Sequence, residues 1–177
     1  MDQDRDHFWV FGYGSLMWRP GFSYDRSELA QMFGVHRSPC IYSWVHRGTK
    51  ERPGIVLGLD QGGICTGTAF QVDNKLFAQT VDYLRERELV TNVYLETTRK
   101  IRLASGASVE ALTYIVDRTH DQYAGKLNYR ELLAQIQGAV GKSGPNEEYI
   151  ISTAKRLGDL GIRDKLMEKL LHDLHPH

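Results

Sequence analysis

Apolar positions along this chain change their spacing several times, and each change marks an element. Phe8, Trp9, Val10 and Phe11 run without a polar break, which predicts a short strand buried on both faces. Tyr24 to Phe33 is compatible with a short turn of helix, and Pro39 to Trp44 (Cys40, Ile41, Tyr42, Trp44) is β-rich. Gly54 to Leu59 and Ile64 to Val72 read as a hairpin around Asp60-Gln61-Gly62-Gly63. Asn74 is placed as the N-cap of a helix over Lys75 to about Glu88. Within it Phe77, Val81, Leu84 and Glu88 share one face, while Asp82, Arg85 and Glu86 fall elsewhere. Alternation returns over Asn92 to Leu103 and Ser108 to Val116, a second hairpin through Ala104-Ser105-Gly106-Ala107. Glu96 and Glu110 fall on its polar phases and are expected to face solvent. Tyr129 to Val140 is amphipathic through Leu132, Leu133, Ile136 and Val140. Asn146 is the expected N-cap of a helix whose stripe is Tyr149, Ile150, Thr153, Ala154 and Leu157, stopped at Gly158. Ile162, Leu166, Met167, Leu170, Leu171 and Leu174 mark a last amphipathic helix.

Five or six strands, mostly in hairpins, with helices inserted between and after them, predict an α+β fold. Its sheet is expected to be mixed, largely antiparallel and curled toward a small barrel. The 177 residues carry no repeat, low-complexity stretch or linker. They predict a single domain over 1–177 with a core over about 8–174 and disordered ends.

Lys plus Arg equals Asp plus Glu, 22 each, so no net field recruits nucleic acid or anionic lipid. No apolar run approaches the roughly 20 residues a membrane helix requires. Met1-Asp2-Gln3-Asp4-Arg5-Asp6-His7 lacks the apolar core of a signal peptide. Cys40 and Cys65 stand singly inside predicted strands, as reduced core thiols do. Together these features place the chain in the cytoplasm. His172, His175 and His177 resemble metal ligands by type, but they sit on a fraying end and are read as tail.

Three stretches offer chemistry. Gly12-Tyr13-Gly14-Ser15-Leu16-Met17 follows the buried strand at once. Its glycines suit either a tight turn or a cradle of backbone N–H groups for a carboxylate or a developing oxyanion. Glu88 ends the apolar helix face, where desolvation and the helix C-terminus both push a carboxyl pKa upward, into the range useful for proton transfer. The alternative is that Arg87 or another basic group merely pairs with it where the helix frays. Arg47, in the loop His46-Arg47-Gly48, either is solvated or holds a substrate carboxylate. Gly141-Lys142-Ser143 invites comparison with a phosphate loop. The required earlier glycine position is occupied by Ile136, so that reading is excluded.

Four separated segments, in order, resemble the ChaC-type γ-glutamylcyclotransferase family. They are Val10-Phe11-Gly12-Tyr13-Gly14-Ser15-Leu16, His46-Arg47-Gly48, Leu84-Arg85-Glu86-Arg87-Glu88 followed by Tyr94, and Gly141-Lys142-Ser143-Gly144-Pro145-Asn146-Glu147-Glu148-Tyr149. The family's Arg-Glu pair fits Arg87-Glu88 better than Arg85-Glu86, because of the spacing to Tyr94 and the following Thr-rich strand. The resemblance implies cyclisation of a γ-glutamyl group by its own α-amine, releasing 5-oxoproline and, from glutathione, Cys-Gly. It implies Glu88 as general acid and base, substrate binding by Gly12, Tyr13, Gly14, Ser15, Leu16 and Met17, further contacts from Arg47 and Tyr149, and no metal or organic cofactor. Glutathione is the favoured substrate, ahead of other γ-glutamyl compounds.

Two further readings compete. A non-catalytic module would use the same turn to hold a γ-glutamyl or other carboxylate ligand. A hydrolase with Ser15 as nucleophile would need a glycine two residues after the serine and a His–acid pair, and neither is evident.

Overall fold

The apolar run at Phe8–Phe11 becomes β1 (His7–Gly12) in the computed structural model, which describes residues 6–89 and 92–175. The following strands are β2 (Arg26–Ser43), β3 (Gly54–Asp73), β4 (Tyr94–Leu103) and β5 (Ser108–Val116), with α1 (Phe77–Glu88) between β3 and β4. They close into a barrel in the order β1-β3-β2-β4-β5. β1 pairs antiparallel with β3 and parallel with β5, while β2–β4 and β4–β5 are antiparallel. The sheet is therefore mixed and largely antiparallel, and the fold is α+β as expected.

The chain divides into two compact units. One comprises Met1–Ser38 with Leu59–His120, the other Pro39–Gly58 with Asp121–His177. In the first, Val10, Leu16, Phe70, Val72, Leu84 and Tyr114 form one buried cluster. That cluster joins the turn after β1 to the inner face of α1 and to β5. The second unit holds α2 (Tyr129–Ile136), the two-residue strands β6 (Val140–Gly141) and β7 (Gly144–Pro145), α3 (Asn146–Asp159) and α4 (Lys165–Leu174). Asn128 caps α2 through a reciprocal box with Glu131.

Several expectations are corrected. No helix forms over Tyr24 to Phe33. β2 already runs from Arg26, because Ala30 and Met32 bury on one face beside Leu103 and Ile101 of β4 while Gln31 and Phe33 face out. The predicted hairpin at Asp60–Gly63 is instead part of one 20-residue strand. Gly62 and Gly63 take φ of +97° and +76° inside it, so a turn-like composition here interrupts the pleat without reversing the chain. Asp73, not Asn74, caps the short 3-10 turn leading into α1, its side chain accepting from the Lys75 N–H. Phe77 is half exposed and packs edge-on against Phe8, 5.0 Å between ring centroids, while Val81 and Leu84 are buried as expected. α3 runs past Gly158 and stops at Gly161, whose φ is +73°. Val140 is exposed in β6 rather than extending α2. Residues 1–5, 176 and 177, which belong to the ends expected to be disordered, lie outside the described residues.

Candidate active site

The site in the first unit is built on the end of α1 and the turn that leaves β1. Gly12 is still in strand, paired with Thr68 of β3. A Cβ on Gly12 would stand 2.8 Å from the Cβ of Leu16, so only glycine lets the chain fold back this tightly. Ser15–Met17 then form one 3-10 turn, with Leu16 and Met17 buried and Ser15 exposed. The Met17 N–H donates to the Gly14 carbonyl at 2.9 Å, so that group is engaged within the turn. The N–H groups of Ser15 and Leu16 open the 3-10 turn and find no acceptor among the described residues. Arg37 of β2 braces the turn from below, donating to the Tyr13 carbonyl at 2.7 Å and to the Thr66 carbonyl at 2.6 Å.

Glu88 ends α1 with its side chain only 16% exposed, whereas Glu86 faces solvent. Burial pushes the Glu88 carboxyl pKa upward, and the neighbouring Arg87 charge pulls the other way. The Nε of Arg87 lies 3.7 Å from Glu88 Oε1, too long for a hydrogen bond. The same guanidinium donates to Ser15 Oγ at 2.7 Å, to Tyr83 Oη at 2.9 Å and to the Arg19 carbonyl. One side chain thus touches both the poorly hydrated carboxylate and the glycine turn. The helix end is fastened to that turn through Arg87.

A second ionic group lies on the other side of α1. Arg85 donates to both carboxylate oxygens of Glu96, at 3.1 and 3.0 Å, and the Tyr114 hydroxyl donates to Oε1 of the same residue at 2.8 Å. Glu96, expected to face solvent, is thus a partly buried anchor. The Arg85 hydrogen bonds, more than any other effect, hold its carboxyl below the usual range. Tyr114 is held far above the ordinary tyrosine range, first by burial and then by Glu96, with the Glu88 charge adding to the rise. The phenol therefore stays protonated between the two carboxylates.

In the second unit Arg47 and Tyr149 meet, the guanidinium 5.5 Å from the ring centroid. Arg47 also donates to the Pro145 carbonyl at 3.2 Å, and Tyr149 Oη accepts from the Leu57 N–H at 3.1 Å. The His46-Arg47-Gly48 loop and the glycine loop interlock: Lys142 and Ser143 N–H groups donate to the Val45 and His46 carbonyls at 2.8 and 2.9 Å. Asn146, expected as an N-cap, is the first residue of α3 and fully buried; Pro145 takes the cap position.

Sequence reasoning missed Arg37, Arg87 as a fastener and the Arg85–Glu96–Tyr114 group. Nothing local marks Arg37, whereas Arg87 stands four residues after Tyr83, a spacing that puts the two on one helix face. Among the described residues no group of three His, Cys, Asp or Glu side chains could hold a metal ion, and His177 lies outside them. Cys40 and Cys65 are buried thiols. No helix among the described residues is long and apolar enough to cross a membrane.

The family model described as ChaC-like protein matches residues 8–176. The chain is 34% identical over 168 residues to the glutathione-specific gamma-glutamylcyclotransferase of Escherichia coli (strain K12), covering 95% of this chain and 73% of that protein. To glutathione-specific gamma-glutamylcyclotransferase 1 of Danio rerio it is 36% identical over 157 residues, covering 85% and 79%. The fold matches a crystal structure of the yeast γ-glutamyl cyclotransferase specific to glutathione with a TM-score of 0.84, at 20% identity and over 96% of each chain.

Proposed function

The chain belongs to the ChaC-like family, and on that premise we propose that it degrades glutathione, with Glu88 moving the proton and the turn after β1 holding the γ-glutamyl group. It is an enzyme, a glutathione-specific γ-glutamylcyclotransferase, by its membership and by relatives of that activity along most of its length. The assignment of roles to residues is supported by one observation above the others. The Arg87 guanidinium reaches both Glu88 and Ser15, so a desolvated carboxylate and the glycine turn are neighbours.

The substrate carries its own nucleophile, so the protein's task is to fold the γ-glutamyl chain and manage protons. The Glu88 carboxylate takes a proton from the α-ammonium. The amine then attacks the γ-carbonyl carbon, and the carbonyl oxygen becomes an oxyanion facing the Ser15 and Leu16 N–H groups. Collapse breaks the bond to the cysteine nitrogen, which takes the proton back from Glu88. The regenerated carboxylate then removes the second proton from the ring nitrogen and passes it to the released amine, which leaves as its ammonium. The products are 5-oxoproline and Cys-Gly. A carboxyl with a raised pKa suits both halves of this transfer. Ser15 fits a binding role better than a nucleophilic one, since its oxygen accepts from a cation rather than facing a base.

Arg47 and Tyr149 are assigned as further substrate contacts in the second unit. A cytoplasmic location and a free small-molecule substrate, with neither nucleic acid nor membrane as partner, complete the proposal. The balanced charge and the buried thiols support both. Incubating the purified protein with glutathione and with several γ-glutamyl dipeptides, then quantifying 5-oxoproline, tests it. Release from glutathione well above the dipeptides is expected. Binding without release would leave only a ligand-holding module.

A further inference from the structure

Arg87 is anchored on several sides by groups that have no part in the proton transfer. Its Nη1 donates to the Arg19 carbonyl, to the Pro20 carbonyl at 3.4 Å and to Tyr83 Oη at 2.9 Å, while Nη2 donates to Ser15 Oγ at 2.7 Å. Glu88, although adjacent in sequence, lies beyond hydrogen-bond distance. The guanidinium is therefore committed to the turn first and to the carboxylate only through space.

That commitment has a chemical consequence. A guanidinium carries five donors and no acceptor, and a serine hydroxyl carries one proton and two lone pairs. Bonded to Arg87, Ser15 Oγ can only be the acceptor. Its single proton is left to donate elsewhere, Ser15 is exposed, and no described residue accepts that proton. A hydroxyl so polarised, beside a positive charge and two unengaged N–H groups, is a ready donor to an anionic oxygen.

We propose that Arg87 is a positioning residue: by holding Ser15 Oγ it turns the serine proton outward as a hydrogen bond for the carboxylate of the γ-glutamyl group. The proposal rests on the γ-glutamylcyclotransferase reading above. It assigns Arg87 a role through Ser15, distinct from its field on Glu88, and the two roles separate experimentally.

The separation uses a cycle of variants. Wild type, Ser15→Ala, Arg87→Met, Arg87→Lys and the Arg87→Met/Ser15→Ala double variant are compared for KM and kcat with glutathione across pH, with circular dichroism confirming the fold. Ser15→Ala and Arg87→Met are each expected to raise KM about tenfold or more, the scale of a hydrogen bond to a charged group. The double variant is expected to be no worse in KM than Arg87→Met alone, because both changes remove one interaction. A second readout follows from charge. Among the described residues, the titratable groups facing Glu88 are Arg87 on its own helix and Tyr114 on β5, the latter bonded to Glu96 of β4. Only Arg87 is a cation among them. Its loss is expected to move the acid limb of kcat/KM to higher pH, while Ser15→Ala leaves that limb in place.

Arg87→Lys keeps the charge but not the fork, so it should hold the limb and still raise KM. It also serves if Arg87→Met does not fold; an unchanged KM in Arg87→Lys overturns the inference. So do KM losses that multiply in the double variant, or an Arg87→Met acid limb identical to wild type. If wild type itself releases no 5-oxoproline, the reaction assignment falls. Calorimetric binding of glutathione by the same five proteins then reads the Arg87–Ser15 coupling directly, and additive losses overturn it.

Discussion

The side-chain amide of Asn146 is paired with the main chain of Ile55 at both ends, donating to its carbonyl at 2.7 Å and accepting from its N–H at 2.8 Å. Asn146 is fully buried, so it acts as a substitute strand partner for the start of β3. Asn146→Ala leaves two buried backbone groups unpaired and is expected to destabilise the protein by about 2–6 kcal/mol, summing the usual cost for each. Asn146→Asp keeps the shape but loses the donor and faces the Ile55 carbonyl with an acceptor. Chemical denaturation with both variants checks this; stability within 0.5 kcal/mol of wild type, about the scatter of a surface change, would remove Asn146 from the architecture.

How much of this was legible in advance depends on where each signal resides. Continuous apolar runs and helical faces are local, so β1, α1 with Glu88 on its inner side, β4, β5 and α4 follow from spacing alone. β2 was hidden before Phe33 because its partner, β4, lies some seventy residues on, and pairing overrides a weak local preference. Asp60-Gln61-Gly62-Gly63 carries the composition of a turn, yet glycine also serves an interruption within a strand, and composition cannot separate the two. Glu96 occupies a polar phase of β4, but Arg85 and Tyr114 together make that phase partly buried. The Arg87–Ser15 contact spans 72 residues and has no local signature at all.

Glu88 is the residue on which turnover is expected to depend. Glu88→Gln preserves shape and hydrogen-bonding capacity but cannot take a proton. It is expected to retain the fold and measurable glutathione binding while losing roughly 10²-fold or more in kcat, the usual scale for a general base. Glu86 is exposed on the same helix, and Glu86→Gln is expected to match wild type. Near-normal 5-oxoproline release by Glu88→Gln removes Glu88 from the mechanism, and loss confined to Glu86→Gln shifts the assignment by two residues.

The same carboxylate should make the fold pay a small cost above acid pH. Its folded pKa is raised above the ordinary 4.5, chiefly by burial. Between 4.5 and that raised value the folded chain holds a proton that the unfolded chain has released, so this group's contribution to stability falls as pH rises through the window and is then constant. Glu88→Gln is therefore expected to be more stable than wild type at pH 7 and equal to it below about pH 4. Glu96 runs oppositely: its lowered pKa, due first to the Arg85 hydrogen bonds, contributes stability above the unfolded value that is lost as pH falls through the folded one. Melting temperatures of Glu88→Gln and Glu96→Gln at pH 4 and pH 7 separate the two signs. A Glu88→Gln variant less stable than wild type at pH 7 would show the carboxylate to be a net stabilising partner.

The end of α3 separates two glycines that look alike in sequence. Gly158 lies inside the helix with open space where a Cβ would stand, and the Leu160 N–H donates to the Arg156 carbonyl beyond it. Gly161 has φ of +73°, and the Ile162 N–H reaches back to the Leu157 carbonyl at 2.9 Å, closing the helix with a left-handed residue. Replacing Gly158 with alanine narrows the unfolded ensemble without a clash and is expected to stabilise by up to about 1 kcal/mol. Replacing Gly161 forces a Cβ into the left-handed region and is expected to cost about 1–2 kcal/mol. At this chain length those changes correspond to melting shifts of about 2–4 °C per kcal/mol, in opposite directions. Both positions lie in the second unit and neither is among the residues assigned to proton transfer or substrate binding, so glutathione turnover by either folded variant should equal that of wild type. Equal destabilisation by the two alanines would mean that α3 ends at Gly158 in solution.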